Sequence, residues 1–149
     1  AQAYIGRYGA DIDDLWADVA ARAPGGFGGK FRVGGRHKVD MQDTTDRAEK
    51  FRAMASVPEL RGLPPDSTDL VPARWNYAQL FRWYRYLQSG AVAYVDGWWG
   101  RDLDEVANRI HFAVRDADAR SALEARLKAL DLPCYLVAIE ISTAPSPFD

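Results

Sequence analysis

The chain has a single cysteine, Cys134, which excludes an intrachain disulfide and a cysteine-rich metal site. Histidine is almost as scarce. His37 and His111 are the only two, and no Gly-x-Ser-x-Gly, His-Glu-x-x-His or Cys-x-x-Cys spacing occurs, so the common hydrolase and zinc signatures are missing. No metal, other cofactor or catalytic residue is called for. No apolar run approaches the roughly 18 residues of a membrane span, and none is expected. The net charge of −2 lacks the positive excess that draws a protein to nucleic acid, so nucleic acid is not expected as a partner. The sequence opens at Ala1-Gln2-Ala3, which fits the small residues around a signal cleavage site and fits a trimmed terminus equally well. A secreted or periplasmic location is expected, with a cytoplasmic one left open.

What the chain does have is patterned apolar residues, 48% of the total, enough for one compact unit of ordinary size. Asp11 is placed to cap a helix whose stripe is Ile12, Leu15, Trp16 and Val19, and Pro24-Gly25-Gly26 ends it. The glycines around Phe27 are not a phosphate loop, because such a loop leads from a strand into a helix and the order here is reversed. Phe27, Phe31 and Val33, the Gly34-Gly35 turn, and Val39 and Met41 predict a hairpin. Thr44 or Asp43 then caps a helix to about Ser56 that buries Ala48, Phe51 and Ala55. A strand over residues 70–75 follows, at a sheet edge because Pro72 has no amide to donate. Asn76 caps the next helix, with Tyr77, Leu80, Phe81, Tyr84 and Leu87 along one side; residues 91–96 read as a strand and 97–104 as a long connection. Ile110, Phe112 and Val114 alternate on a strand, Asp116 opens a helix with Ala119, Leu123, Leu127 and Leu130, and Tyr135, Val137, Ile139 and Ile141 alternate again. The order helix, strand, strand, helix, strand therefore occurs twice, over residues 1–75 and 76–142, with a Pro-rich tail or linker over 143–149. The predicted class is α+β, with antiparallel sheets and helices packed on one face.

Two features are candidates for a contact surface. Trp98 and Trp99 are adjacent indoles between glycines, and they read either as exposed anchors or as a loop folded back on its own core. Lys30, Arg32, Lys38, His111 and Arg115 alternate outward with Asp40 and Gln42, forming a polar sheet face that is either solvated or a docking surface. His37, His111 and Asp40 would hold a metal or move protons only if the two hairpins met; lone histidines of this kind read as surface residues. Cys134, after Pro133, reads as a small buried apolar side chain. A cleft between the repeats lined by Trp75, Tyr84, Trp98, Trp99 and His111 is the alternative, as a small-molecule-binding domain or an enzyme.

Gly26-Phe27-Gly28-Gly29 with its hairpin, Tyr77-Ala78-Gln79-Leu80, and Asn108-Arg109-Ile110 leading to Val114-Arg115-Asp116 resemble the N-terminal regions ahead of secreted bacterial trypsin-like serine peptidases. These look in turn like the pro-regions of the alpha-lytic protease and streptogrisin group. The resemblance implies a non-enzymatic folding assistant and protease inhibitor, with a serine peptidase domain as partner. It implies that the strand carrying Tyr135, Val137, Ile139 and Ile141 pairs with the peptidase, and that the tail with Pro145 and Phe148 lies in its cleft. The sequence departs from that pattern because no catalytic domain follows Asp149, which fits a processed pro-segment, a separately produced one or a free-standing relative with another use. Oligomeric state is not legible.

Overall fold

The structure, a computed structural model, describes residues 15–142 apart from the side chain of Trp99. Asp11, Pro145 and Phe148 lie outside the described residues. The elements run α1 (Leu15–Arg22), β1 (Phe27–Val33), β2 (Arg36–Met41), α2 (Arg47–Met54), a 3-10 turn (Pro65–Ser67), β3 (Thr68–Pro72), α3 (Tyr77–Tyr86), a π turn (Leu87–Ala91), β4 (Trp98–Asp104), β5 (Arg109–Val114), α4 (Ala117–Ala129) and β6 (Val137–Ile141). The class is α+β. Two three-stranded sheets have the orders β1-β2-β3 and β4-β5-β6.

Neither sheet is wholly antiparallel, which corrects the sequence expectation: β3 runs parallel to β2, and β6 parallel to β5. The helices in the connections are the reason. A tight turn such as Gly34-Gly35, with φ of 56° and 81°, reverses the chain, whereas a passage through α2 or α4 brings it back in the same direction. The described residues divide into two compact units, one of residues 15–81 with 105–108 and one of residues 82–104 with 109–142.

In the unit holding the first sheet, α1 lies against β1, with the Trp16 and Phe27 rings 6.0 Å apart. Val19, Phe27, Val39, Met41, Met54 and Leu60 are buried, but Leu15 is exposed although the stripe placed it inside. The cap of α2 is Asp46, not Thr44 or Asp43, and the helix buries Lys50 and Met54 rather than Ala48 and Ala55. Asp43 has another use. It accepts from the Thr45 hydroxyl at 2.6 Å, from the Thr45 amide at 2.9 Å and from Lys50 Nζ at 3.2 Å. These bonds, the Thr45 hydroxyl first, pull its carboxyl from 3.8 down to about 2. A folded value below the unfolded one means that this stabilisation is present above about pH 4 and is lost as pH falls toward 2. Thr45→Val removes the leading bond. An NMR titration of the Asp43 carboxyl is then expected to move up toward the ordinary range; an unchanged curve would assign the depression to Lys50 and the amide.

The same unit contains an amide clamp. Asn108 Oδ1 accepts from the Trp75 amide at 2.8 Å, and Asn108 Nδ2 donates to the Trp75 carbonyl at 2.9 Å. Gly28 is required beside it, because a Cβ there would stand 2.8 Å from the Trp75 carbonyl oxygen. Asn76 and Gln79 form a capping box at the start of α3, each side chain accepting from the other's amide at 2.9 and 3.0 Å.

In the unit holding the second sheet, α4 lies across β4, β5 and β6, and Asp116 caps it by accepting from the Ala119 amide at 2.8 Å. Ile110, Phe112, Val114, Ala119, Leu123 and Leu127 are buried, as their periods require. Residues 91–96 are not a strand, and residues 98–104, expected as a connection, are β4. A bulge between Trp98 and Gly100 explains why the strand was hidden: the extra residue breaks the alternation by which a strand is read. Trp98 is thus a strand residue, packed edge to face on Phe112 with centroids 5.9 Å apart, its indole donating to the Val92 carbonyl at 3.3 Å.

Candidate functional site

β6 is an edge strand of five residues, and its ladder decides which of its backbone groups are free. Ile110 N–H donates to the Leu136 carbonyl at 2.8 Å and Ser142 N–H to the Val114 carbonyl at 2.7 Å. In a parallel pair this register turns Leu136, Ala138, Glu140 and Ser142 toward β5, and turns the N–H and C=O of Val137, Ile139 and Ile141 outward. Among the described residues those outward groups have no partner.

The edge of β3 has the same register and is partly closed. Ala73 N–H donates to the Met41 carbonyl, so Thr68, Leu70 and Pro72 face outward. Thr68 N–H donates to the Pro65 carbonyl, its own carbonyl accepts from Arg47 Nη2 at 2.9 Å, and Pro72 has no N–H. Pro72 therefore sits on an edge strand, as the sequence predicts. Capping at Thr68 and proline at 72 flank the outward Leu70 and shorten this edge in ways known to discourage strand pairing, while β6 is open along its length.

Beside the open edge a groove of about 520 Å³ runs between β6 and α4. Val137 and Ile139 line one wall and Arg120, Glu124, Leu127 and Lys128 the other, with Arg109 and Tyr135 at one end. Tyr135 is not part of the strand: its φ of 63° belongs to a turn, where its exposed ring lies 5.5 Å from the Arg109 guanidinium. The same turn leaves Cys134 exposed, against the expectation of burial. Ile141, half-exposed, continues the apolar stripe of Val137 and Ile139.

The other expected surfaces are dispersed. In the first sheet the two-residue Gly34-Gly35 turn sets the register, so that Lys30 pairs with Val39 and Arg32 with His37, while Lys38 pairs with Phe31. Lys30 and Arg32 therefore share a face with the core residue Val39, and Lys38 stands on the opposite one. The Lys30 ammonium lies 5.3 Å from the Trp16 ring, Arg32 bonds the Gly35 carbonyl, and Lys38 bonds Asp69 at 2.6 Å. Arg115 lies just past β5, bonded to Asp116. His111 is on the face of the second sheet turned away from α4, with Glu140 at 3.1 Å and Asp102 opposite it in register. Burial, then the neighbouring Asp104 charge, raises the Asp102 carboxyl above its usual range. Trp98 is on the Phe112 face, joined to Tyr84 through the Arg101 guanidinium, which lies 5.4 and 5.6 Å from their rings. Trp98 and His111 thus do not share a wall. No cluster of three metal-ligating side chains occurs among the described residues, and no described helix is long and apolar enough to cross a membrane.

The signal that sequence reasoning missed is the pairing of positions between the two edges: Pro72 and Ile141 hold the same register, opposite Met41 and Val114. No family model matches the chain. No curated protein matches it either.

Proposed function

We propose that this chain is a non-enzymatic docking module that captures an extended segment of a partner protein by adding it as a fourth strand beside β6. The free N–H and C=O groups of Val137, Ile139 and Ile141 carry the reading. Strand addition takes affinity from such main-chain groups and selectivity from alternate side chains, for which the groove toward α4 supplies the pockets. The partner class comes from the resemblance to serine-peptidase pro-regions: a trypsin-like serine peptidase domain that the module folds or inhibits.

The experiment is a titration of the whole chain into a secreted bacterial trypsin-like peptidase, following hydrolysis and refolding yield, with hydrogen exchange read on the complex. Binding is expected to slow exchange at the amides of Val137, Ile139 and Ile141. No effect on hydrolysis or refolding at micromolar concentration removes the peptidase as partner, and binding that leaves those three amides unprotected removes β6 as the docking edge.

A further inference from the structure

We infer that the strand received beside β6 carries carboxylates at the alternate positions that face α4, an inference that rests on strand addition at that edge. The chain as a whole is acidic, with a net charge of −2, yet the groove is lined by Arg109, Arg120 and Lys128 against one carboxylate, Glu124. Glu124 is already engaged, accepting from Arg120 Nε at 2.9 Å. Asp104 stands opposite Arg109 across β4 and β5 but is not part of the lining. The Lys128 ammonium has no partner among the described residues. A local excess of positive charge on an acidic protein steers an oppositely charged segment and penalises a basic one.

The spacing supports the same segment. Side chains of an added strand alternate between the two faces of the sheet, so every second one points toward α4. There it meets Val137 and Ile139 at its base and the cations of α4 at its rim, which suits an acidic side chain with an aliphatic stem or acids interleaved with apolar residues. A second copy of β6 does not fit. Its only acid, Glu140, points to the other face and bonds His111.

Three capped peptides test this on the whole chain: valine alternating with glutamate, with glutamine, and with lysine, each titrated by fluorescence anisotropy at low and high salt. The glutamate peptide is expected to bind about tenfold more tightly than the glutamine one, as two or three partly exposed ion pairs allow, and the gap is expected to close in high salt. The double variant Arg120→Glu, Lys128→Glu is expected to bring the glutamate peptide to the glutamine level or below. Equal binding of the glutamate and glutamine peptides, or a preference for lysine, overturns the acidic partner and leaves strand addition standing. Failure of all three to bind, or sedimentation showing that the chain pairs with itself through β6, overturns strand addition by a foreign segment and this inference with it.

Discussion

Asn108→Ala is expected to destabilise the unit that holds the first sheet by about 3 to 5 kcal/mol, the sum of two separate losses. The first is the clamp on Trp75. Both backbone groups of Trp75 are satisfied by the Asn108 amide, at 2.8 and 2.9 Å, and Asn108 is buried. Alanine removes both partners at once and leaves an N–H and a C=O to find water. Each lost bond costs about 1 kcal/mol, and more where the orphaned group stays dry. The second loss is conformational. Asn108 has a φ of 56°, a region that asparagine tolerates and in which alanine costs roughly 1 kcal/mol or more. Asn108→Gly separates the two, since glycine accepts the backbone but offers no amide, and it should fall short of the alanine variant by about that amount. Asn108→Asp keeps the acceptor for the Trp75 N–H but sets a carboxylate oxygen against the Trp75 carbonyl. Denaturant unfolding of the three variants measures this. A loss below about 1 kcal/mol for Asn108→Ala would mean that water replaces the clamp without penalty.

Much of the fold is written in local pattern, and the parts that are not have a common cause. Ile110, Phe112 and Val114 alternate without interruption, Asp116 is a good cap, and Ala119, Leu123 and Leu127 keep a helical period, so this region is found as read. Where a bulge inserts a residue the pattern fails. The bulge after Trp98 hid β4, and the bulge after Phe27 put that ring on the opposite face from Phe31 and Val33, with which it alternates in the sequence. Strand direction was lost for another reason: it is a property of the connection, so the helices α2 and α4 make parallel pairs that no residue in the strands announces. The candidate site was legible as residues but not as a site. Val137, Ile139 and Ile141 were named from alternation; that their amides are unpaired follows only from strand order, which local sequence does not encode.

Ile139→Pro is expected to weaken capture of a partner strand by about 10- to 100-fold, through the loss of one or two main-chain bonds and the steric block of a ring on the open edge. The fold should tolerate it better than a proline in the ladder. The Ile139 N–H points away from β5, so no existing sheet bond is removed, and the expected cost is the packing of a half-buried side chain, about 1 kcal/mol. Ile139→Val controls for that packing and should bind almost as the parent does. Ile141→Pro is the sharper companion, because it puts into β6 the residue that β3 already carries at Pro72 in the same register. It should fold as the parent does while losing part of the binding at that end of the strand. The reverse change, Pro72→Val, should still leave β3 a poorer edge than β6: Thr68 remains capped by Arg47 and by its bond to Pro65, so outward groups are offered at Leu70 and position 72 alone. Binding that survives both prolines in β6 would place the contact on side chains of the groove alone and would reject main-chain pairing as its source.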